Sequence, residues 1–357
     1  MILRMEHHFA RQIARGVLSY RRHKSAQRWI LYHREPFEMG SHEGEYDGVL
    51  ACAQDDTPEV EPFLAGPAPC VAVCNRPTNL PLPMITLDDY EIGRVAAAHY
   101  LKKQYRELAF VGEDAVYSHR RLAGFRESLL EAGYEPKVFL QDLDFQWLES
   151  IHAPVGVFAS NDVRGQEVLN QCATADVSVP GKVAVLGVDN DALLCETCDP
   201  PLSSIVAPHR RAGWLAAEML EHRMLQSEPP PLQQLPPGPV IERGSTDNFA
   251  VPDPLVQRAV ERMRTPSGAA MNIAQLTREL DVPRRTLEAH FQRSLGQTPL
   301  QVLHSHRLAR AVSLLVETDW TIKRIAEACG YATAPRLNDA FHRHLGRTPS
   351  EYREQAE

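Results

Sequence analysis

The sequence predicts two unlike domains: an α/β body whose strands form parallel sheets, followed by an all-α tail with two helix-turn-helix units. Three observations predict it. Short β-branched runs alternate with longer amphipathic segments through the first two thirds of the 357 residues. A proline-rich run, EPPPLQQLPPGP (Glu228–Pro239), ends that alternation, because proline forbids a regular helix or central strand there. Beyond it, FQRSLGQTP (Phe291–Pro299) and FHRHLGRTP (Phe341–Pro349) both fit F-x-R-x-L-G-x-T-P.

The body reads in order. HHFARQIARGVLSY (His7–Tyr20) is helical and is reached almost at once. YDGVLAC, PCVAVC, PMITLD, ELAFVGE, PVGVFAS and KVAVLGVD read as strands, with GRVAAAHYLKKQ, RLAGFRESLLEAG and GQEVLNQCATAD as helices between them. Strands that are apolar throughout are buried on both faces, which calls for parallel sheets covered by helices. Ligands of such sheets sit beyond the carboxyl ends of the strands. Polar pairs fall there: Asp88 and Asp89 after MITL, Asn161 and Asp162 after VFAS, Asp189 and Asn190 after VLGV. Arg120 and Arg121 are expected in the loop after AFVGE. Each alone is commonly a helix cap or turn residue. Together they offer the donors and acceptors that hydroxyl groups need, so a small polyol such as a sugar is the expected guest.

VFASND, VSVPGKVAVLGVDN and DPPLSSIVAPHRRAGWLAAEML resemble the sugar-sensing core of LacI-type repressors and periplasmic sugar-binding proteins, over about Ile92 to Ser245. The resemblance implies a two-lobed, periplasmic-binding-protein-like sensor. By position it gives sugar contacts to Arg121, Asn161 and Asp189, and, through its place five residues before Gly93, to Asp88. LacI-type repressors carry DNA-binding helices in front of this core. Here the first helix comes so early that either the true start lies further upstream or the edge of the first lobe is built differently.

The domains are expected at residues 1–245 (sensor), 246–254 (linker) and 255–357 (tail). Residues 250–357 carry 15 Lys and Arg against 12 Asp and Glu, while residues 1–249 carry 23 against 34, so the tail suits a polyanion better than the body does. In the tail Ile273, Leu276, Leu280, Leu287, Phe291 and Leu295 recur at helical spacing, as do Ile322, Ile325, Ala326, Cys329, Leu337, Phe341 and Leu345. Gly296 and Gly346 are placed to end the second helices in left-handed conformation. Thr298 and Thr348 can cap the next ones, each with a proline at the first helical position. Pro299 to Val316 reads as one helix joining the units, about 25 Å long at 1.5 Å per residue.

This layout, with IAEACGYATAPRLNDAFHRHLGRTPSEYR, resembles the AraC/XylS signature over about Pro254 to Arg353. The resemblance implies that the second helix of each unit enters the major groove. That assigns base reading to Arg284, Arg285, Glu288 and Ala289 in the first unit and to Arg336, Asn338 and Asp339 in the second. Arg suits guanine, Asn adenine and Glu cytosine. Arg293, Arg343 and Arg347 are expected on phosphates. Ala334-Pro335-Arg336 departs from the usual polar and aromatic start of the second reading helix, and Asp339 would repel a phosphate. The second unit is therefore expected to read fewer bases.

A LacI-like core in front of an AraC-type tail implies a transcription regulator, activator or repressor, expected in the cytoplasm, whose effector is xylose or another pentose. Its other expected partners are operator double-stranded DNA, a second copy in a homodimer, and RNA polymerase. No membrane partner is expected, because no run approaches the roughly 20 apolar residues of a membrane helix. Neither a cofactor nor a metal is expected. Seven cysteines in such a chain are most simply free thiols, and neither Cys195/Cys198 nor Cys70/Cys74 has a second pair to complete a zinc site. A sugar-processing enzyme is the rival reading, as is a pure sugar-binding protein with a degenerate tail. Against an enzyme, the sequence holds no phosphate-binding glycine loop and no convincing nucleophile, base and orienting group.

Overall fold

The six apolar runs form strands where the pattern places them. The structure, a computed structural model, describes residues 1, 3–25, 29–30, 46–53, 68–74, 82–141, 144–225, 232–247, 249–250, 253–265 and 271–356. Its strands are β1 (Val49–Ala53), β2 (Cys70–Cys74), β3 (Met84–Leu87), β4 (Glu107–Val111), β5 (Lys137–Phe139), β6 (Val155–Ala159), β7 (Val183–Val188), β8 (Ser203–Ile205), β9 (Leu232–Leu235) and β10 (Val240–Ile241). They make two sheets, β1-β2-β3-β9 and β10-β8-β7-β6-β4-β5, parallel throughout except where β10 meets β8. β6 and β7 are buried at every position, as apolar runs between two helical layers must be. β9 is the proline-free LQQL inside the proline-rich run, and it takes the edge of its sheet, where flanking prolines break no central ladder.

Helices α1 (His8–His23), α2 (Asp89–Lys102), α3 (Val116–Glu131), α4 (Phe145–Glu149), α5 (Asp162–Thr174), α6 (Ala192–Thr197) and α7 (His209–Met224) accompany the sheets. The chain passes between lobes three times: from β3 into α2, from β8 into α7, and from β9 to β10. Two helix pairs touch backbone to backbone. A Cβ on Gly16 of α1 would lie 1.9 Å from the Arg210 carbonyl of α7, and one on Gly93 of α2 would lie 2.0 Å from the Arg121 carbonyl of α3. Only glycine permits either approach. Among the described residues no strand precedes α1, which packs against α7.

The tail is helical: α8 (Pro254–Arg264), α9 (Ile273–Glu279), α10 (Arg284–Leu295), α11 (Pro299–Glu317), α12 (Ile322–Ala328), α13 (Ala334–Leu345) and α14 (Pro349–Ala356). Gly296 (φ 64°) and Gly346 (φ 72°) close α10 and α13 in left-handed conformation. Thr298 caps α11 in a reciprocal pair with Gln301, and Thr348 does the same before α14 with Glu351. The repeated nonamer is thus a helix end followed by a helix start. Asp281 (φ 53°) and Gly330 (φ 73°) occupy the same left-handed turn position in the two units.

The tail docks on the sensor. Ile241 of β10 lies in one apolar cluster with Ala311, Val312 and Leu315 of α11 and with Leu337 and Phe341 of α13, and Val206 packs on it. Beside it Lys103 Nζ lies 2.9 Å from Glu242 Oε2, and Arg264 Nε 2.6 Å from Asp247 Oδ1. His306 stands near these carboxylates, but Lys103 and Arg264 already supply their counter-charge. Burial lowers both His99 and His306 to about 3, so both rings are neutral in this seam. Thr246, expected to open the linker, is fully buried and donates to Ser203 Oγ at 2.7 Å.

Candidate ligand cleft and DNA-reading surface

The candidate site is built where the strands of the second lobe end. Asp89, in the first turn of α2, and Arg121, on α3, are both sealed from solvent, and Arg121 Nε donates to Asp89 Oδ1 at 2.9 Å. Arg121 also donates to the Ser160 carbonyl just after β6. Its guanidinium lies 4.9 Å from the Tyr117 ring centre and 4.0 Å from Asp189 Oδ1. Asp189 follows β7 and is part-buried, and His209, opening α7, reaches its Oδ1 at 3.1 Å. His8 from α1 stands 3.2 Å from Asp191 Oδ2. Asp89, Tyr117, the Ser160 carbonyl and Asp189 thus surround one guanidinium, and His209 backs Asp189.

Electrostatics divide the carboxylates. Burial raises the Asp89 carboxyl against the pull of Arg121. Burial acts the same way on Asp189, but the His209 hydrogen bond and the charges of His209, Arg121 and His8 outweigh it and hold that carboxyl below its ordinary value. Asp162, wholly buried beneath them, is pushed up to about 8 by burial and by the nearby Asp189 charge. Asp162 accepts from Ser204 Oγ at 2.6 Å and from the Asp191 N–H at 2.8 Å, which fixes the loop after β7. In that loop Asp189 (φ 105°) and Asn190 (φ 50°) are held in conformations that side-chain-bearing residues rarely adopt. Asp89 Oδ2 and Ser160 Oγ are buried without a hydrogen-bond partner. Such groups are uncommon, and they suit a site that completes its hydrogen bonds with a polar guest.

The structure brings Arg121 and Asp189 together as the pattern anticipates. Asn161 is close by, its amide donating at 2.9 Å to both Glu113 Oε1 and Tyr117 Oη while its Oδ1 caps α5. Asp88 is spent differently: its carboxylate accepts from the Glu91 N–H at 3.0 Å as the cap of α2, and its neighbour Asp89 is the one that reaches Arg121. The reason is geometric, since a helix beginning at residue 89 turns the first-turn side chain inward and leaves the preceding one over the exposed amides. Glu113, Tyr117, His8 and His209 escaped sequence reading. Only Glu113 carried a signal, as the residue directly following the FVG strand end.

The second surface lies on α10 and α13. Leu287 and Phe291, and Leu337 and Phe341, face the core. Arg284, Arg285, Ala289, Arg336, Asn338 and Asp339 are exposed and Glu288 is half-buried. Arg284 Nε pairs with Glu288 Oε1 at 2.8 Å, one turn apart. Arg293 and Arg343 are exposed towards the ends of the same helices, and Arg347 is exposed in the turn after α13. The joining helix α11 runs one residue past the expected Val316 and carries both units.

Residues 97–246 match the periplasmic binding protein-like domain family, and residues 276–355 match a helix-turn-helix domain family. The chain is 29% identical to the xylose operon regulatory protein of Escherichia coli K12, over 97% of this chain and 94% of that one. It is 28% identical to that of Haemophilus influenzae, over 91% and 88%. A solved structure of a xylose-binding transcription activator superposes with a TM-score of 0.62 at 27% identity, covering 99% of this chain and 96% of that one. Two sheets with a charged cluster at their strand ends, two helix-turn-helix units behind them, and relatives that match nearly the whole length make the chain a DNA-binding transcription regulator in which a periplasmic binding protein-like sensor domain precedes an AraC-type helix-turn-helix domain.

Proposed function

We propose that the sugar sensed by this regulator is xylose or another pentose, held in the interlobe cleft by Arg121, Asp189 and Asn161 together with Asp89. The observation that carries this reading is the buried Arg121, which lies between Asp89 and Asp189 and offers fixed donors beside unsatisfied acceptors. Paired charged donors and acceptors recognise vicinal hydroxyls. The full-length likeness to xylose operon regulators supports a pentose first. Asp88 contributes as the cap that orients Asp89.

The regulator works on double-stranded operator DNA as a homodimer in the cytoplasm, with RNA polymerase as the partner it recruits. Arg284, Arg285, Glu288 and Ala289 read bases in the first unit, and Arg336, Asn338 and Asp339 in the second. Arg293, Arg343 and Arg347 hold phosphates. The sugar is bound without being turned over, and recovery of any product from labelled xylose would overturn that. Sensor, linker and DNA-binding domain span residues 1–245, 246–254 and 255–357. The decisive measurement is thermal unfolding against a panel of pentoses and hexoses. A ligand that binds only the folded state raises its melting temperature. D-xylose or a close pentose should give the largest rise, and a flat panel would reject the reading.

A further inference from the structure

Arg243 lies two residues beyond β10, the strand entered by the last of the three passages between lobes. Its guanidinium touches both functional halves of the molecule. Nη2 donates to Asn190 Oδ1 at 2.7 Å, Nη1 donates to the Leu202 carbonyl at 2.8 Å, and Nη2 also pairs with Glu317 Oε1. Asn190 is the neighbour of Asp189, in the loop whose backbone is left-handed at both residues. Glu317 is the last residue of α11, the helix that carries both reading units. The Arg243 and Glu317 side chains are only 9% and 17% exposed, so this is no loose surface pair. Its backbone is anchored too, the Arg243 N–H donating to Ser203 Oγ at 2.8 Å.

We propose that Arg243 is the positioning residue through which occupancy of the cleft is passed to the DNA-binding domain, by holding Asn190 beside the ligand site and Glu317 at the end of α11 on one guanidinium. The inference rests on the sugar-sensing reading. A guest drawn to Asp189 shifts or stiffens the 189–190 loop. Asn190 shares one nitrogen of Arg243 with Glu317, so a change at the first acceptor alters the geometry offered to the second. Arg is suited to this because its planar fork fixes several acceptors at once, which a lysine cannot do. Arg243 comes two residues after β10, the strand that the last passage between lobes enters, so hinge motion and loop motion meet close to one side chain. Burial raises the Glu317 carboxyl, and the charge and hydrogen bond of Arg243 oppose that rise.

The test uses the full chain and a DNA fragment selected by this protein from random sequence. In wild type, D-xylose is expected to change the DNA dissociation constant at least about five-fold, within the usual range of such couplings. In Arg243→Met and Glu317→Gln that ratio should fall towards one, while the dissociation constant for D-xylose measured by calorimetry stays within about three-fold of wild type. The swap of Arg243→Glu with Glu317→Arg should recover part of the ratio, which a merely structural role would not produce. Full retention of the wild-type ratio in both single variants would overturn the proposal. A second arm needs no sugar: Asn190→Ala and Glu317→Gln, alone and combined, should act non-additively on DNA affinity, since they meet only through Arg243. A wild type that ignores every pentose would sink the sugar reading, and this second arm would still decide the relay, additive effects counting against it.

Discussion

Arg121 donates to Asp89 Oδ1 at 2.9 Å with both side chains out of reach of solvent, so the centre of the cleft is a buried ion pair. Removing one partner of such a pair leaves an uncompensated charge. Asp89→Ala is therefore expected to destabilise the sensor by about 3–5 kcal/mol, read as a lower urea midpoint, and to remove the sugar response. A variant as stable as wild type would show that water reaches Arg121.

Asp189 makes a gentler test, because it is part-buried and its removal leaves the Arg121–Asp89 pair intact. Asp189→Ala should abolish the melting-temperature rise with D-xylose. DNA affinity without sugar should remain within a few-fold of wild type. A full thermal response in this variant would remove Asp189 from the site.

Asp162 predicts a pH dependence of fixed sign. Its carboxyl is raised to about 8 in the fold, so between the ordinary aspartate range near pH ~4 and pH 8 the folded chain binds a proton that the unfolded chain has released. Stability should therefore fall as pH rises through that window and level off above it. Asp162→Asn can keep the hydrogen bonds to Ser204 and to the Asp191 N–H, and should flatten the decline. Urea midpoints of the two proteins at pH 5, 6, 7 and 8 check this, and parallel slopes would contradict it.

Arg285 is exposed early on α10, whereas its neighbour Arg284 is engaged with Glu288. Arg285→Ala is expected to cost about 1–3 kcal/mol on the selected DNA site and to relax preference at one position. Arg293→Ala should instead weaken binding to all sequences alike and lower its salt dependence. Affinities for the site and for point-substituted sites, at two salt concentrations, separate the two roles.

Much of the fold was legible because its signals are local. The six apolar runs need only their own composition to become buried strands, and Gly296, Thr298 and Pro299 act on the turn they occupy. β9 was hidden by the prolines around LQQL, since nothing local says that an edge position tolerates them. Asp189 announced itself by its position just after a strand, whereas Arg121, expected in the loop after β4, lies within α3 and reaches the site from there. Asp89 was one residue from the expected contact, and the difference is the phase at which α2 starts. His209 and His8 had no signal at all: each belongs to a helix that is remote in sequence from the residues it meets.

Ile241 is a sensor residue by sequence, yet it completes the apolar cluster of the second reading unit, with Val206 beside it. The two modules consequently do not meet at a clean seam. Exchanging the sensor for that of another regulator would leave a hole against Leu315 and Val312 unless this two-residue patch travelled with the tail. Chimeras cut at the proline-rich run or at residue 246 would fail for the same reason. A functional graft has to carry the end of one domain along with the whole of the other.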